Sequence, residues 1–99
     1  MQLEAHETEL EGVWQFKDGR VRGDATEKRI NWLTMNSLKR IAFTNGGYDM
    51  LYQDPSDGRY WELTFPHPQG FGEGPRRLCV IEKSAAVHKY NLRQMPESQ

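Results

Sequence analysis

The chain has one cysteine, no long apolar run and no surplus of either charge, and each of these shortages excludes something. With Cys79 alone, no intramolecular disulfide can form, which fits a reducing compartment. Cys79 lies in the apolar, strand-like run Leu78-Cys79-Val80-Ile81. Nothing in the local sequence supplies the basic or helix-N-terminal setting that a nucleophile needs, so it reads as a buried, inert thiol. No apolar stretch approaches the roughly 20 residues of a membrane span. The opening Met1-Gln2-Leu3-Glu4-Ala5-His6-Glu7 is polar and acidic, unlike a secretory signal. The expectation is a cytoplasmic protein with no membrane partner. Lys plus Arg is 13 and Asp plus Glu is 14, a net charge of -1. That is neither the basic excess of a nucleic-acid binder nor the acidic excess of a nucleic-acid mimic. Internal repeats and interdomain linkers are missing too. Ninety-nine residues therefore read as a single domain over 1–99, with 1–6 and 95–99 expected to fray.

Hydrophobic residues are 36% and charged residues 27%, which separates the chain from disordered sequences. Leu10 to Gly23 reads as a β-hairpin turning at Asp18-Gly19, a pair suited to a type I′ turn. That register sets Phe16 opposite Val21 on one face, with Trp14 on the same face. Asp24 and Glu27 form a capping-box pattern. Ile30, Leu33, Leu38 and Ile41, widened by Trp32 and Met35, recur near helical spacing up to Asn45-Gly46-Gly47. A second hairpin runs from Tyr48 to Phe65 around Asp54-Pro55-Ser56-Asp57-Gly58, where Gly58 can take the left-handed position. Its second arm puts Trp61, Leu63 and Phe65 on the core face and Tyr60, Glu62 and Thr64 on the outer face. Pro66 to Pro75 is a Pro/Gly-rich loop, Arg76 to Glu82 a last strand and Ser84 to Tyr90 a short helix. The fold class is α+β: a small antiparallel sheet made of two hairpins plus a last strand, with one long helix packed on it and a short C-terminal helix. Trp14, Leu33, Leu38, Trp61 and Leu63 are the expected core.

The chemistry is sparse. His6, His67 and His88 are scattered without the short spacings of metal ligands, so no metal is expected. Gly70-Phe71-Gly72-Glu73-Gly74 lacks the Lys-Ser/Thr ending of a phosphate loop, so no cofactor is expected. Asp49, Asp54, Asp57 and Glu62 gather around the second hairpin, but Asp54 and Asp57 are explained as turn formers that bond their own backbone. No Ser-His-Asp or Cys-His set can be defended from spacing, so no catalytic residue is named. Arg59, Tyr60, Glu62, Phe71, Glu73 and Arg76 are read as exposed and are of types that anchor interfaces. They form the expected partner-binding set.

Four segments carry a resemblance. They are Glu7-Thr8-Glu9-Leu10-Glu11-Gly12-Val13-Trp14, Lys28-Arg29-Ile30-Asn31-Trp32-Leu33, the long run Leu51-Tyr52-Gln53-Asp54-Pro55-Ser56-Asp57-Gly58-Arg59-Tyr60-Trp61-Glu62-Leu63-Thr64, and Gly72-Glu73-Gly74-Pro75-Arg76-Arg77-Leu78. In this order they resemble the immunity protein 27 family of bacterial polymorphic toxin systems. The resemblance implies a non-enzymatic antitoxin that binds the C-terminal toxic domain of a cognate toxin, a nuclease or nucleotide-modifying enzyme acting in the bacterial cytoplasm. Direct nucleic-acid binding is not expected. Two other classes stay open: an enzyme that reverses the toxin's modification, and a nucleic-acid or adaptor module using Arg59, Tyr60, Arg76 and Arg77.

Overall fold

The computed structural model describes residues 2–66 and 74–92. Four consecutive strands form an antiparallel meander: β4 (Lys39–Thr44), β5 (Asp49–Gln53), β6 (Tyr60–Thr64) and β7 (Arg77–Ile81). The early strand β1 (Glu9–Glu11) pairs with the far side of β7, completing a five-stranded sheet of order β1-β7-β6-β5-β4. β2 (Trp14–Lys17) and β3 (Arg20–Gly23) form a separate two-stranded ribbon. Helix α1 is Ala25–Asn36 and α2 is Lys83–Lys89. The α+β class stands, but sheet membership differs from the sequence reading. The first hairpin lies outside the main sheet, and β1 and β4 take its place.

The long helix is shorter than its apolar stripe suggested. Asp24 caps it as expected, its carboxylate accepting from Glu27 N–H at 2.8 Å. The reciprocal half of a capping box is absent: Asp24 N–H donates to Val13 O, and the Glu27 carboxylate turns to Arg76 instead. At the other end both Ser37 N–H and Leu38 N–H donate to Leu33 O, closing the last turn. Leu38 and Ile41 therefore fall after the helix, and Lys39 and Arg40 belong to β4 rather than to a helix C-terminus. Asn45, Gly46 and Gly47 all take positive φ. They form the turn between two strands, not the end of a helix.

Two cores sit on opposite faces of the sheet. Trp61 and Leu63 point to one face with Tyr52, Leu78 and Leu10, where Ile30 and Leu33 of α1 and Leu38 cover them. Leu51 and Tyr60 point to the other face, where Ala86 and Tyr90 cover them. α2 ends in a Schellman motif: Asn91 has φ 53, and Leu92 N–H closes on Val87 O at 3.0 Å. The outer face expected to be solvated is thus roofed by α2. Four of the five expected core residues are buried. Trp14 is the exception, 39% exposed, because among the described residues no layer packs opposite its hairpin.

Candidate partner-binding surface

The residues first expected to meet a partner divide three ways. Tyr60 is 6% exposed; it is a core residue under α2, which corrects its reading as an exposed anchor. Glu62 is half-buried and ties α2 down, accepting from Tyr90 Oη at 2.9 Å and lying 2.5 Å from Lys89 Nζ. Asp49 completes this cluster at 3.1 Å from Lys89. Burial pushes the Tyr90 phenol up, and the bond to Glu62 adds to that. Burial by itself would lower Lys89, but its bonds to Glu62 and Asp49 outweigh it and the net shift is upward.

Arg59 is also half-buried rather than exposed. Its guanidinium donates to Glu7 O at 2.6 Å and Glu4 O at 3.1 Å, pairs with Asp57 at 2.7 Å, and lies 4.9 Å from the centre of the Trp61 ring. It pins the N-terminal segment to the second hairpin. Arg76 holds Glu27 through both its backbone N–H, at 3.0 Å, and its side-chain Nε, at 2.6 Å. Phe71 and Glu73, like His67 and Gly70-Phe71-Gly72, lie outside the described residues.

Other polar groups are occupied structurally. Asp54 accepts from Ser56 N–H at 2.9 Å and Ser56 Oγ at 2.7 Å, and Asp57 accepts from Arg59 N–H at 3.0 Å. Both are turn formers, as their positions predicted. Arg29 clamps Glu7 with two bonds of 2.6 Å, which holds the Glu7 carboxyl at about 2, well below its ordinary 4.5. Arg77 pairs with Glu9. Cys79 is half-buried rather than buried. Among the described residues, no three His, Cys, Asp or Glu side chains gather as a metal site.

Several large apolar side chains face outward. Every residue from Val13 to Arg22 is exposed, including Phe16 at 78% and Val21 at 59%. The ribbon has the expected register, Phe16 opposite Val21 and Trp14 opposite Gly23. Its turn has the expected type I′ signs, Asp18 φ 53 and Gly19 φ 74. A lone hairpin is marginal in water, so the base of this one is fastened. The Asp24 carboxylate accepts from Val13 N–H at 3.2 Å while capping α1, and Gly12 N–H donates to Arg76 O at 2.8 Å. Gly12 and Gly23 lie directly against Glu27, closer than a side chain would permit.

A second outward feature is a groove of about 480 Å³ between α1 and the β4–β6 end of the sheet. Met35, Tyr48 and Arg40 are exposed along it, with Tyr52 and Arg76 in its wall. Burial pushes the Tyr52 phenol up, and its hydroxyl meets Met50 Sδ at 3.5 Å. Arg76 thus belongs to both the groove wall and the ribbon's fastening. The sequence reading missed the exposure of the ribbon because it counted Trp14 as core, and missed the groove because it placed Met35 in the apolar stripe of the helix.

No described helix is long and apolar enough to cross a membrane. The family profile described as Immunity protein 27 matches residues 16–82, more than half of the chain. The matched span includes the helix, second-hairpin and Gly72–Leu78 segments that carry the resemblance, and leaves out the Glu7–Trp14 segment. Comparison with curated proteins and with solved structures gives no match.

Proposed function

The chain belongs to the immunity protein 27 family, and from that premise we propose that it is an antitoxin that neutralises a cognate toxin domain in the bacterial cytoplasm by binding it one-to-one. The observation that carries this reading is the outward placement of Val13, Trp14, Phe16, Val21, Met35, Phe43 and Tyr48. So much large apolar surface on a chain of 99 residues is a liability unless a partner covers it. The described carboxylates, in contrast, are largely committed to arginines, a lysine and turns. That favours a binder over an enzyme that reverses the toxin's modification, which needs a carboxylate or histidine free to move protons.

The proposed contact surface shifts with the geometry. Arg59 and Glu62 act inside the fold, while Phe71 and Glu73 stay in the proposed contact set on the sequence argument alone. The toxin is proposed to be a nuclease or nucleotide-modifying enzyme, the classes that act in the cytoplasm. The test is isolation of the complex. Mixed with the C-terminal domain of the toxin encoded beside its gene, the chain elutes as a one-to-one species with nanomolar or tighter affinity, about -12 kcal/mol or better. Failure to form a complex while the toxin is still inactivated would contradict the proposal.

A further inference from the structure

The β2–β3 ribbon has two unlike faces. Trp14, Phe16 and Val21 lie on one; the alternation places Lys17, Arg20 and Arg22 on the other. All six side chains are exposed. The three cations make no ion pair among the described residues, whereas Arg29, Arg59, Arg76 and Arg77 each hold a carboxylate. Asp18 in the turn is the ribbon's one acid, so this end is locally basic on a chain whose net charge is -1. The molecule is elongated, 47 × 28 × 19 Å. At about 3.3 Å per residue, each ribbon strand reaches roughly 13 Å beyond its fastened base.

We propose that this ribbon is the element that enters the toxin, seating Trp14, Phe16 and Val21 on an apolar wall of a cleft whose opposite wall carries carboxylates that meet Lys17, Arg20 and Arg22. The inference rests on the antitoxin reading and names the surface and the partner's chemistry. Two-sidedness decides for a cleft. A flat partner covers one face of a ribbon and leaves the other in water. A nucleic-acid strand that stacks on aromatics and neutralises cations needs both on the same side, and here they point apart. A cleft covers both faces at once, and the unpaired cations require acids on one wall. The fastening of the base through Asp24, Val13 and Gly12 presents the ribbon already ordered, which lowers the entropic cost of docking.

The test uses the wild-type chain, the variants Phe16→Ser/Val21→Ser and Arg20→Gln/Arg22→Gln, and the catalytically disabled toxin domain encoded beside its gene. Each pair weakens binding by about thirtyfold or more. Raising salt from about 0.05 to 0.3 M weakens the wild type and has a smaller effect on the basic-face variant. For the wild type, amide exchange over residues 14–23 slows on toxin binding, a readout independent of whether any variant folds. If the wild type binds one-to-one while ribbon exchange is unchanged and both variants stay within about threefold, the inference fails and the antitoxin reading survives. If the wild type does not bind the toxin at all, both fail. Protection of the same amides by a single-stranded oligonucleotide, or by self-association at high concentration, also overturns the inference.

Discussion

Trp61 and Glu7 show how much single residues carry. Trp61 is fully buried between α1 and the sheet, with Arg59 over its ring, and its indole N–H has no hydrogen-bond partner among the described residues. Its contribution is therefore volume and ring face rather than a donor. Trp61→Ala is expected to cost roughly 3–5 kcal/mol in denaturant unfolding, and Trp61→Phe less than half of that. Equal losses would mean that the indole N–H matters after all. Glu7 makes a pH prediction. Its carboxyl is held at about 2 by the hydrogen bonds from Arg29, against 4.5 ordinarily. Because the folded value is depressed, the stabilisation is present above pH 4.5 and is lost as pH falls toward 2. The stability gap between wild type and Glu7→Gln, measured by urea midpoints, should be constant near neutrality and shrink across that acid window. A gap unchanged between pH 5 and pH 2, both approximate bounds of the window, would remove Glu7–Arg29 from the account.

Elements were legible where local chemistry alone decides them. Asp18-Gly19 marked the first hairpin and its register, and Asp54–Gly58 marked the second hairpin, because turn residues act over four or five positions. Asp24 marked the helix start for the same reason. The helix end was not legible. Leu38 and Ile41 continue an apolar stripe at helical spacing, yet both are buried or half-buried from β4 and its approach. A short apolar run suits either structure, and here pairing with β5 decides it. The ribbon was legible as a hairpin but not as an exposed one, since exposure depends on whether another layer faces it. Its fastening gives the prediction at this scale. A Cβ on Gly23 would lie 2.6 Å from Glu27 Cγ and 2.9 Å from its Cβ, so one of the two must move. Gly23→Ala is expected to cost about 1–3 kcal/mol and to speed amide exchange over residues 14–23 more than over β5 and β6. Uniform acceleration, or none, would show that Glu27 does not hold the ribbon.

For the whole molecule, the family was legible in ordered motifs, and the family profile over residues 16–82 agrees with them. Which of the interface-type residues face outward was not. Tyr60 reads as an outward aromatic until α2 covers it, and no spacing within β6 announces a helix arriving more than twenty residues later. Arg59, Glu62 and Arg76 look like hot-spot residues because Arg and Glu make strong pairs, and the fold uses that strength internally. The apolar groups that remain outside are what the antitoxin reading depends on. That reading predicts protection by occupancy, so the decisive measurement is toxin activity titrated with purified antitoxin at toxin concentrations well above Kd. The residual activity should fall linearly and reach zero near one equivalent. Full protection at roughly a hundredth of an equivalent, which only turnover can deliver, would contradict it.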